Sequence, residues 1–69
     1  MDIIEALSDM IEDEIRDAEK YARCALEHKD EDPQLAQMFY ELSLEEKGHM
    51  EKLFKMEKEK VEHLQAMFM

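Results

Sequence analysis

The feature that most constrains this chain is how rarely it can turn. Its 69 residues hold one proline and one glycine, and the only strong punctuation is HKDEDPQ, residues 28–34. Asp32 followed by Pro33 predicts a helix start: the carboxylate caps free N–H groups, and proline at the first helical position forfeits no hydrogen bond. Helix formers (Glu, Lys, Leu, Met, Ala) dominate and β-branched residues are sparse, which argues against strands. The expectation is a single all-α domain: helix 1 from about residue 3 to 28, helix 2 from 33 at least to 57, and a helical tail over 58–69. So short a turn forces the helices antiparallel.

Charge excludes several partners. With 19 acidic against 9 basic residues the net charge is −10, so nucleic acid and anionic lipid would repel the chain, and cations are its natural small partners. No apolar run approaches the roughly 18 residues that cross a bilayer. A lone cysteine, Cys24, forms no intrachain disulfide, and the acidic start MDIIEALSDMIEDEI lacks the basic and apolar regions of a signal peptide. The expected location is cytoplasmic.

Each predicted helix carries an apolar stripe at alternating three and four spacing. In helix 1 it comprises Ile4, Leu7, Ile11, Ala18, Tyr21, Ala22 and Ala25, broken by Glu14; in helix 2 it comprises Leu35, Phe39, Leu42 and Leu53, broken by Glu46 and His49. Taking residue 31 as the turn centre, Glu14 lies 17 residues before it, and Glu46 and His49 lie 15 and 18 after it. The three therefore share one layer to within roughly 3 Å of axial height.

A two-helix hairpin cannot enclose such a layer. It has one contact face per helix, so a chain this small is expected to gain stability by pairing. A two-fold dimer closes into a four-helix bundle and brings two copies of Glu14, Glu46 and His49 together. Four buried carboxylates demand matching positive charge, and two divalent ions supply it. Mixed carboxylate and imidazole ligands suit iron or manganese better than zinc thiolate or all-oxygen calcium chemistry.

Glu46 and His49 stand three apart in EEKGHM, and with Glu14 they match the di-iron pattern of ferritin-like bundles: one Glu from each of two helices, Glu-x-x-His from each of the other two. EEKGHM resembles the second-helix motif of rubrerythrins, usually EEKEH, and EIRDAEKY keeps the spacing from Glu14 to an aromatic residue, Tyr21. The chain is most similar to the encapsulated ferritins, two-helix members whose site forms across a dimer and whose second helix begins with a similar Asp-Pro. The resemblance covers roughly residues 10 to 55. It implies ferroxidase activity at a di-iron centre, two Fe per dimer, ligated by Glu14, Glu46 and His49 with Glu46 the better bridging candidate. It further implies assembly of dimers into rings and residence in an encapsulin shell. Gly48 departs from the motif, and no encapsulin-targeting peptide is recognisable.

Plainer readings stand beside these. Thirteen Glu and three His yield roughly 0.6 chance Glu-x-x-His matches in such a chain, so the position of the motif carries more than the motif. Glu14 alone reads equally well as a solvated carboxylate at the seam edge. Tyr21 and the methionines read as packing residues, Cys24 as a small buried hydrophobe or surface thiol, and His28 as a favourable charge at a helix C-terminus. A rubrerythrin-like peroxide reductase would need an external electron donor, since one cysteine cannot hold a four-cysteine iron centre. The alternative from another class is a metal-free helical oligomer, a scaffold or regulator whose polar layer serves pairing. The apolar residues Leu64, Met67 and Phe68 are expected to fold back as a short helix or to pack against another dimer.

Overall fold

Helix propensity and capping account for nearly all of the architecture. The computed structural model describes residues 2–68, which form two helices, α1 (Ile3–His28) and α2 (Pro33–Met67), packed along each other. Asp2 caps α1, its side chain accepting from the Glu5 N–H at 2.9 Å, and Asp32 caps α2 by accepting from the Leu35 N–H at 3.1 Å. Pro33 occupies the first turn of α2 as the sequence predicts. Neither helix is long and apolar enough to cross a membrane.

The seam is thin. Among the described residues only Leu7, Ile11 and Ala36 are buried, while Ile4, Ala18, Tyr21, Ala25, Leu35, Phe39, Leu42 and Leu53 are half-buried. Tyr21 and Phe39 stack with ring centroids 6.4 Å apart, joining the helices toward the turn. Ala22, assigned to the stripe by spacing, is exposed, and Ala36, which the stripe omitted, is one of the buried three. The apolar period alone does not separate the two alanines.

The resulting surface is large for the mass. The hairpin is 57 Å long and 11 Å at its thinnest, with 5582 Å² accessible. A compact monomer of 8.3 kDa would expose roughly 4,600 Å². The excess is about a fifth, and much of it is apolar: Met10, Met38, Phe54 and Met56 are all 43% or more exposed.

Within the described residues the C-terminal segment does not fold back. α2 runs without a break from Pro33 to Met67, because no proline and no glycine follow Gly48 to interrupt it. Gly48 itself sits inside α2 with no atom within 4 Å of where a Cβ would stand. Nothing in the hairpin requires a glycine there.

Candidate metal centre

The antiparallel register fixes what meets what. One turn beyond the buried Ile11 on α1 comes Glu14, and opposite it on α2 stand Glu46 and His49, a single turn apart. One ligand atom from each of the three lies within 4.8 Å of the other two. The Nδ1 of His49 is 3.4 Å from Oε2 of Glu14 and 3.8 Å from Oε1 of Glu46. The layer deduced by counting residues from the turn is therefore a real convergence of side chains.

The convergence is open on one side. The Glu14 and Glu46 side chains retain 24% and 18% of their accessible surface, whereas His49 retains 56%. The carboxylates face inward between the helices, and the imidazole forms an exposed rim. Three ligand atoms with an open flank are fewer than a metal ion takes in an enclosed site.

Electrostatically the cluster is unbalanced. Oε2 of Glu14 is buried and accepts no hydrogen bond from the chain, the one such side-chain atom among the described residues. Glu46 is pushed above the ordinary value of 4.5, chiefly because a proton on it can bridge to Glu14. Partial burial and the like charges of Glu14 and Asp17 raise it further, and only His49 opposes them. Asp17, one turn beyond Glu14, was not singled out from sequence, although its spacing places it near the same face.

These features fit a cation. A metal would occupy the position that a shared proton otherwise fills, giving the orphaned Glu14 oxygen a partner and cancelling the repulsion that raises Glu46. Exposed acidic groups also cluster without metal, so the buried unpaired oxygen carries more weight here than the proximity.

Other candidates remain outside the cluster. His28 approaches Glu31 at 3.8 Å beside the turn, and His63 belongs to no group of three ligand-type side chains. Cys24 is half-buried on α1. A third half-buried carboxylate, Glu57, accepts a 2.7 Å hydrogen bond from Ser8 Oγ. That pairing joins residues 49 apart and has no local sequence signature.

Comparison with known proteins adds no relative: no protein-family model matches the chain, and neither a curated protein nor a solved structure is significantly similar to it. The resemblance to ferritin-like proteins rests on the sequence motifs alone.

Proposed function

We propose that two chains pair through the open side of the Glu14, Glu46 and His49 cluster and hold a di-iron ferroxidase centre between them. The observation that carries this reading is the buried Glu14 oxygen without a hydrogen-bond donor, set within 4.8 Å of ligand atoms from Glu46 and His49. Pairing would put four carboxylates and two imidazoles in one interior, a donor set suited to two divalent ions of iron or manganese. Bound iron would supply one electron from each Fe(II) to dioxygen or peroxide, leaving Fe(III).

The chain's own residues do the rest. Glu14 and Glu46 supply anionic oxygens held between rigid helices, and His49 supplies a neutral nitrogen at the mouth. The apolar turn carrying Ile11 backs the carboxylates and limits water on that side. A surface of net charge −10 draws cations towards the cluster. This reading places the protein among iron-handling proteins of the ferritin-like kind, working in the cytoplasm or within a protein shell there.

One observation favours a second reading. Because Glu46 retains a proton more readily than an ordinary carboxylate, the Glu46 and Glu14 pair can close without metal, as a polar layer that fixes how helices pair in a scaffold.

Mixing chains tests the shared centre. Co-refolding wild type with an equal amount of His49→Ala leaves roughly one quarter of centres intact if both subunits furnish every site, and about one half if each chain has its own. The readout is the initial rate of aerobic Fe(II) oxidation above the protein-free rate, with mass spectrometry confirming mixed dimers. Acceleration chiefly by peroxide would identify a peroxide reductase, and no acceleration by either oxidant would leave the scaffold. Activity linear in the wild-type fraction, despite confirmed mixing, would sink the shared site.

A further inference from the structure

We propose that the C-terminal end of α2, Leu64 to Phe68, docks into a groove at the turn end of a second copy of this chain. The contact is independent of the acidic cluster, which lies near the middle of α2.

The donor surface exists because the helices differ in length. Ser8 on α1 reaches Glu57 on α2, so by antiparallel pairing Ile3, the first residue of α1, stands opposite about residue 62. Beyond that height no helix of the described residues stands beside α2. The overhang nevertheless carries large apolar side chains: Leu64 is 42% exposed, Met67 68% and Phe68 88%. Removing side chains of this size from water is favourable in proportion to the apolar area covered.

The receiving surface lies at the other end of the hairpin. A groove of about 460 Å³ runs between α1 and α2, its lining mostly apolar (Ala22, Leu26, Ala36 and Tyr40 among others) with Gln37 and one charged side chain, Lys29. Its small residues leave space between the helices, and Leu26 and Tyr40 are exposed at its sides. Gln37 and Met67 are 30 residues apart on one continuous helix, or roughly 45 Å. No chain can fill its own groove with its own tail.

Charge restricts where a second copy can dock. Two chains of net charge −10 repel wherever their acidic surfaces meet. Counting His as neutral, only PQLAQMFY (33–40) and HLQAMFM (63–69) run for more than three residues without a charge. The first contributes every α2 residue that lines the groove, and the second is the overhang. Tail into groove thus brings together the two longest uncharged segments of the chain, where apolar contact between two copies meets the least acidic charge.

Site-directed disulfide cross-linking tests it. In a Cys24→Ser background, a chain carrying Met67→Cys is mixed with one carrying Gln37→Cys, and oxidised glutathione is added. A third chain carries Lys52→Cys, an exposed position outside the groove. Circular dichroism checks that each variant keeps its helices. The expected result is a linked 67–37 pair, no linked 67–52 pair, and loss of the 67–37 product when Phe68→Glu is added to the tail chain. Equal linking to positions 37 and 52, linking of Met67→Cys only to itself, or no linked product would each overturn the proposal.

Discussion

Two half-buried carboxylates interrupt the seam of α2, and the chain treats them in opposite ways. Glu57 accepts a 2.7 Å hydrogen bond from Ser8, so its need is met inside the hairpin. Glu46, three turns earlier, faces Glu14, another acceptor, and is held above its ordinary pKa as a result. The difference is a donor: α1 offers a hydroxyl at one height and a second carboxylate at the other. An acidic residue in a seam is thus no sign of a ligand site until its partner is known, and only the Glu14 and Glu46 layer leaves a buried oxygen unsatisfied.

The largest contrast should appear in metal content. If Glu46 serves a shared centre, Glu46→Ala should lose all tightly bound iron, from one per chain to none, whereas Glu57→Ala should keep it. Elemental analysis after desalting decides, and unchanged iron in Glu46→Ala would remove that residue from the site. Next in size is the apolar turn behind the cluster. Ile11 is 5% exposed, and Ile11→Ala should cost about 2–4 kcal/mol in urea unfolding of the metal-free protein. A hairpin with so few buried residues would then be largely unfolded before denaturant is added.

Smaller effects sharpen the comparison itself. Ser8→Ala should destabilise the protein by about 1–2 kcal/mol, because it strips the donor from Glu57 and makes that layer resemble the other. Glu46→Gln should do the reverse, stabilising the metal-free hairpin by roughly 0.5–1.5 kcal/mol as the amide donates to Glu14. The pH dependence has a definite sign. Between 4.5 and the raised pKa of Glu46 the folded state holds a proton that the unfolded chain has released. Stability of the metal-free protein should therefore fall as pH rises through that window. In Glu46→Gln this contribution should vanish, and a pH profile identical to wild type would show that the Glu14 and Glu46 repulsion is not felt.

Much of the fold was legible because its signals are local. Asp32 and Pro33 mark the start of α2 by capping chemistry that needs no tertiary context. The antiparallel hairpin and the convergence of Glu14 with Glu46 and His49 follow from counting at a fixed rise per residue. Counting gives height but not environment. It could not tell that Ala36 is buried while Ala22 is exposed, that Glu57 finds Ser8, or that Asp17 adds its charge to Glu46. It left two places for the apolar end of α2, folded back or packed against another dimer, and the fold back does not occur within the described residues. Without a residue that breaks helix, the backbone hydrogen bonds continue to Met67 even though no second helix stands beside them.

By itself the sequence determined two helices, their antiparallel order, the acidic surface and the height at which ligand-type residues interrupt both stripes, because each depends on residue type and spacing alone. The tertiary structure decided which carboxylate is satisfied and which is left with a buried, unpaired oxygen. It also decided which apolar residues are covered and which stay exposed. Those outcomes depend on how two helices are rotated about their axes and how far apart they lie, and a difference of one side chain's reach separates a closed hydrogen bond from an unsatisfied carboxylate oxygen.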